Sequence, residues 1–115
     1  MAREHSGGLI VRPDLFTTIN RSRIIALVES NKVPAIYETR AAAEAGGLIS
    51  YGSDFAEQFR QAAGYIDRIL KQTRPEDLPI QQPEKFDLVI NLKTAKTFGL
   101  TIPPTLLATA DEVIE

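Results

Sequence analysis

The run EAGGLISYGSDF, Glu44 to Phe55, admits two readings with opposite consequences for the whole chain. Gly47 and Gly52 stand at the G-x-x-x-x-G spacing that opens a phosphate-binding loop. Such a loop continues with Lys, whose ammonium reaches the terminal phosphates, and then Ser or Thr, whose hydroxyl binds magnesium. Here Ser53 and Asp54 follow, and a carboxylate in place of the ammonium repels the phosphates the loop would hold. The other reading is a strand bracketed by glycines. Gly46 and Gly47 stop a short helix and begin a turn, residues 48–51 form a buried strand, and Gly52 turns the chain tightly into a helix capped by Ser53 or Asp54.

Working outward, the second reading is consistent with both flanks. Downstream, Asp54 and Glu57 have capping-box spacing. Phe55, Phe59, Ala62, Ala63, Ile66, Ile69 and Leu70 then recur at intervals of 3 and 4, which predicts a helix of about 17 residues with one apolar stripe. Upstream, the alanine-rich residues 39–45 predict a short helix with Gly46 as its left-handed cap. Residues 33–37 (VPAIY) read as a strand with Pro34 near its start, where a missing N–H is tolerated. Leu9-Ile10-Val11 reads as a buried strand closed by Arg12-Pro13-Asp14. Between them, a helix capped by Thr17 or Thr18 runs through residues 20–28, with Asn31 as its left-handed stop.

Toward the C-terminus, the proline-rich residues 76–84 predict an extended connection, and residues 86–90 a fourth strand. Asn91 caps a helix over 92–98 that Gly99 stops, and Pro103-Pro104 launches a last helix from Thr105 to about Val113. Strands alternating with helices predict an α/β layered fold with a largely parallel sheet. Four strands are fewer than a doubly wound sheet usually has, which predicts a partial fold.

Composition narrows the function. The 115 residues make one domain at most, 43% hydrophobic and 24% charged, with a net charge of -2 and no concentrated basic surface for nucleic acid. Zero Cys rules out disulfides, thiolate metal sites and cysteine nucleophiles. The single His5 lies in a polar tail, residues 1–8, without a second His for a metal site. The carboxylate pairs are explained by helix capping and solvated loop charge, so no catalytic set stands out, and neither a cofactor nor a metal is expected.

Binding has better candidates. Ligands of open α/β sheets sit at the carboxyl ends of the strands. Those ends carry Asp14 and Phe16 after the first strand, Tyr37 at the second, and Ser50 and Tyr51 at the third. Such residues can stack on a small organic ligand and bond its polar groups. Tyr37 and Tyr51 also fit a plainer role as caps on the edge of the core.

Residues 33–37 (VPAIY), 44–55 (EAGGLISYGSDF) and 77–115 (DLPIQQPEKFDLVINLKTAKTFGLTIPPTLLATADEVIE) together resemble the C-terminal part of ABC-transporter substrate-binding proteins of the tryptophan/tyrosine-transport-like family. The resemblance covers almost the whole chain from Gly7 onward. It implies a lobe of a periplasmic-binding-protein-like (Rossmann-like) fold, incomplete over residues 9–115, with inter-lobe crossings near residues 47–53 and 76–86. It further implies a non-catalytic, extracytoplasmic solute binder that delivers an aromatic amino acid or related small organic to an inner-membrane permease. Tyr37, Ser50 and Tyr51 carry over as ligand-lining residues, Asp14 and Phe16 by their place after a strand.

Family members are longer and carry a leader. The expectation is therefore a C-terminal fragment, cytoplasmic if no leader precedes it, whose uncovered faces promote homo-oligomers. A self-sufficient cytoplasmic α/β sensor, and an α/β enzyme using the glycine-rich run, are the rival readings.

Overall fold

The computed structural model describes residues 7–115, so His5 and most of the polar tail lie outside the described residues. In chain order the elements are β1 (Leu9–Val11), α1 (Leu15–Ile19), α2 (Arg21–Ser30), β2 (Ala35–Tyr37), α3 (Arg40–Glu44), β3 (Ile49–Ser53), α4 (Phe55–Leu70), β4 (Phe86–Asn91), α5 (Leu92–Phe98), α6 (Pro104–Thr109) and β5 (Glu112–Ile114). The five strands form one sheet in the order β1-β2-β3-β4-β5. β1 with β2, β2 with β3, and β4 with β5 are parallel, as crossover helices require. The Asn91 N–H donates to the Leu48 carbonyl at 2.9 Å. The end of β4 therefore lies beside the start of β3, and these two neighbours run antiparallel.

The chain divides into two compact units. The first comprises residues up to Gly52 together with Asp87–Glu115, and it contains most of the sheet. Register puts Leu9 beside Ala35, Val11 beside Tyr37, and Tyr37 beside Ser50 on one face of the sheet. Ile25 and Val28 from α2 and Ala42 from α3 cover that face, with Ile24 and Phe98 packed around them. The other face carries the row Ile10, Ile36 and Ile49. Val89 and Ile90 point to opposite faces of β4, yet both are fully buried, so the sheet is covered on both sides there.

The second unit, Ser53–Phe86, is an excursion between β3 and β4. It consists of α4, a turn of 3-10 helix at Pro75–Asp77, and an extended return. Asp54 caps α4 by accepting from the N–H groups of Ala56 (2.8 Å) and Glu57 (3.2 Å). The Glu57 carboxylate turns to Arg60 at 2.7 Å.

Four local expectations are corrected. The helix expected through residues 20–28 is α2, but its N-cap is Asn20 and not Thr17 or Thr18, which lie inside the separate α1 that the Asp14–Thr17 capping box starts. Asn31 is right-handed, and the left-handed residue is Lys32, at φ 50°. Gly52 lies inside β3 and is not a turn residue; a Cβ there would meet the Glu38 carbonyl oxygen at 1.9 Å. The last helix stops at Thr109, and residues 112–114 are a fifth strand. The cause is Asp111, whose N–H donates to the Leu88 carbonyl (2.9 Å) while its carboxylate accepts from the Leu88 N–H (2.8 Å).

Candidate functional site

Because β1, β2 and β3 are parallel, their carboxyl ends share one edge of the first unit, where small ligands bind open α/β sheets. Tyr37 is the last residue of β2, and Ser50, its register partner, lies one strand over. Paired residues of neighbouring strands point to the same face, so the two hydroxyl-bearing side chains are neighbours. Both are buried: Tyr37 is 4% exposed and Ser50 1%. Neither hydroxyl oxygen has a hydrogen-bond partner among the described residues. An unpartnered buried hydroxyl costs about 1–3 kcal/mol, so each of these residues is a place where the fold gives up stability. Burial also pushes the Tyr37 pKa above its ordinary value, since the tyrosinate is poorly solvated there.

Close backbone approach makes this packing possible. A Cβ on Gly47 would sit 2.8 Å from the Tyr37 ring and 2.8 Å from the Ala42 carbonyl oxygen. The glycine pair of the EAGGLISYGSDF run thus lets the chain pass over the Tyr37 ring into β3. Tyr51 follows Ser50, so strand alternation sends it to the opposite face, where it is 52% exposed.

Asp14 and Phe16 lie after β1. The Asp14 carboxylate accepts from the Thr17 N–H at 2.7 Å, and the Thr17 hydroxyl oxygen accepts from the Asp14 N–H at 2.9 Å. The Thr17 N–H bond holds the Asp14 carboxyl below its ordinary pKa. Asp14 thus spends one carboxylate oxygen on capping α1, and Phe16, inside α1, is largely exposed. The structure therefore brings Tyr37 and Ser50 together, sends Tyr51 to the reverse face, and holds Asp14 and Phe16 on the element after β1.

Sequence reasoning treated Asn91 as a simple cap. Its side chain does accept from the Thr94 N–H at 3.1 Å, but it also donates to the Ala43 carbonyl at 3.0 Å. The Thr94 hydroxyl donates to the Gly46 carbonyl at 2.8 Å. Together with the Asn91 N–H bond to Leu48, these tie the link between α3 and β3 to the β4–α5 junction, which fixes the entry into β3 and so the placement of Ser50. The signal in sequence, a Thr three residues after an Asn, reads the same for an ordinary cap.

In the second unit a groove of about 340 Å³ runs between α4 and the return segment. Gln58 and Gln61 line it from the helix, Gln81 and Gln82 from the segment that the sequence marked as a linker. Tyr65 anchors the return by donating to the Pro79 carbonyl at 2.5 Å. Four amides offer both donors and acceptors to a neutral polar group. Among the described residues, no three His, Cys, Asp or Glu side chains gather as a metal site, and no helix is long and apolar enough to cross a membrane.

A mostly parallel five-stranded sheet with helices between its strands is an α/β architecture. The family described as ABC transporter substrate binding protein matches residues 1–114, and the chain belongs to it. No curated protein matches the chain. Among solved structures, it is similar to a conserved domain protein from Vibrio cholerae, with 29% identity and a TM-score of 0.87 over 94% of this chain and 36% of that one. It is also similar to an ABC domain from Streptococcus pneumonia solved in complex with L-Trp, with 28% identity and a TM-score of 0.85 over 96% of this chain and 38% of that one. A ligand-free, open substrate-binding protein with adhesive properties from Clostridium difficile shares the fold, with 19% identity and a TM-score of 0.62 over 92% of this chain and 36% of that one. The chain therefore spans little more than a third of the length of these structures. The family resemblance and the α/β class read from the residues are both borne out.

Proposed function

We propose that this chain forms part of the solute-binding component of an ABC importer, acting outside the cytoplasmic membrane. In this reading its solute is a small organic molecule of the aromatic amino-acid kind, and its protein partner is the importer's permease. The observation that carries the reading is the likeness to the Streptococcus pneumonia domain solved with L-Trp, over 96% of this chain. The orphan hydroxyls of Tyr37 and Ser50 support it, because a binding protein keeps such groups where stability alone would remove them.

Tyr51, exposed on its face of β3, stacks on the solute, and Ser50, buried on the opposite face, holds the strand from behind. Tyr37 backs Ser50, and Asp14 and Phe16 border the same strand edge. Residues 47–53 and 76–86 act as crossings between two lobes. The antiparallel neighbours β3 and β4 support this, since the second unit leaves after one and returns before the other.

The chain contains no Trp, so added L-Trp is the sole indole emitter in a binding experiment. Saturable polarisation of L-Trp emission is expected. Tyr51→Ala should weaken it about tenfold, the loss of one stacking contact. A correctly folded chain that polarises no aromatic amino acid's emission would sink this reading.

A further inference from the structure

Strand β3 is held in a register that its apolar residues do not choose. The face packed on the core of the first unit receives Ser50 and Gly52, both buried, while Ile49 and Tyr51 go to the reverse face. Side chains alternate along a strand, so a slip of one residue would send Tyr51 inward and Ser50 out. Burial of apolar surface does not forbid that exchange, since one large buried side chain, Leu48, would give way to two, Ile49 and Tyr51. Pairing with β2 is short: it joins Ile36 to Ile49 and Tyr37 to Ser50, and it ends before Tyr51.

What does hold the strand is a set of buried polar bonds at its entry. Three carbonyls on the approach to β3, those of Ala43, Gly46 and Leu48, accept from the Asn91 side chain (3.0 Å), the Thr94 hydroxyl (2.8 Å) and the Asn91 N–H (2.9 Å) respectively. The Asn91 side chain is itself fixed, because it accepts from the Thr94 N–H at 3.1 Å. Asn91 and Thr94 are both buried, so a shift of the approach by one residue leaves donors and acceptors unmatched where water does not replace them.

We propose that Asn91 and Thr94 are positioning residues, which lock the register of β3 and so decide that Tyr51, and not Ser50, is presented to the solute. Gly52 fits this register, because a Cβ there would meet the Glu38 carbonyl oxygen; the latch selects it. The link to the solute rests on the stacking role proposed for Tyr51, but the lock is a property of the chain alone.

The two parts are tested apart. With no native Cys, single cysteines report register without any solute. Tyr51→Cys should react rapidly with a thiol reagent and Ser50→Cys slowly. Thr94→Val keeps the volume of the side chain and removes its hydroxyl, so adding it to Ser50→Cys should speed the reaction at position 50 about tenfold, whereas Thr94→Ser should not. In the chain without cysteine, Thr94→Val should weaken the polarisation of L-Trp emission about tenfold, and Thr94→Ser should leave it within about twofold. Ile25→Val, a core substitution that lowers the melting temperature by a similar amount, controls for simple destabilisation and should move neither readout. An unchanged rate at position 50 in Thr94→Val would show that the fit of the glycines sets the register, and an equal response to Ile25→Val would show general loosening; either overturns the lock. Faster reaction at position 50 with undiminished L-Trp binding would overturn the positioning role. A folded chain that binds no aromatic amino acid, yet reacts at position 50 as expected, would refute the solute reading while upholding the lock.

Discussion

Gly52 and Gly64 differ in what a methyl group would meet. At Gly52 it would meet the Glu38 backbone carbonyl at 1.9 Å, and at Gly64 nothing within 4 Å. Backbone cannot rotate away as a side chain can, so Gly52→Ala should destabilise the chain by about 3 kcal/mol and lower its melting temperature by about 15 °C. Gly64→Ala, in mid-helix, should stabilise by about 0.4–1 kcal/mol through the unfolded state. Thermal melts followed by circular dichroism check both signs. Tyr37 and Ser50 invert the usual rule for core substitutions. Among the described residues their hydroxyls have no partner, so Tyr37→Phe and Ser50→Ala should each raise stability by about 1 kcal/mol. Tyr37 also imposes an alkaline limit. Its folded pKa is raised by burial, so its contribution is complete below the ordinary tyrosine pKa of about 10 and is lost as pH climbs through the higher folded value. Tyr37→Phe should flatten that alkaline loss in a melting-temperature profile. An unchanged alkaline limb would show that Tyr37 is not the group responsible.

At the scale of elements, legibility followed the range of the interactions that decide each one. α4 was readable because its cap and its stripe are written within a few residues of each other, and β4 because an apolar run ends at a capping Asn. The tail ATADEVIE was not, since local propensity favours helix there. The choice is made by the two bonds from Asp111 to Leu88, 23 residues away, which no local pattern encodes. The candidate site was half legible for the same reason. The strands could be located, but β3 runs on to Ser53, so Ser50 and Tyr51 stand inside the strand and not at its end. That Tyr37 lies against the backbone of Gly47, and that Asn91 and Thr94 brace the entry to β3 from 48 residues away, depends on tertiary contacts that no local pattern encodes. Asp111→Ala should therefore release β5 locally. Amide exchange at residues 112–114 should accelerate sharply while Val89 and Ile90, at the heart of the sheet, keep their protection. Uniform acceleration through both strands would mean that Asp111 supports the whole sheet.

Across the whole molecule, burial is uneven, and that unevenness predicts where the chain opens first. Among the described residues, the first unit holds every buried apolar residue of the core, whereas the 16 residues of α4 contribute none. A helix of that length is marginal on its own in water, even with the Asp54 cap and the Glu57–Arg60 and Asp67–Lys71 pairs, because exposed pairs of this kind contribute only a few tenths of a kcal/mol. In dilute solution α4 amides should exchange through local opening far faster than those of β4, whose protection tracks global unfolding. Exchange measured by mass spectrometry makes the comparison within one molecule. Equal protection of residues 55–70 and 89–91 would overturn the expectation, because the helix would then open only when the sheet does.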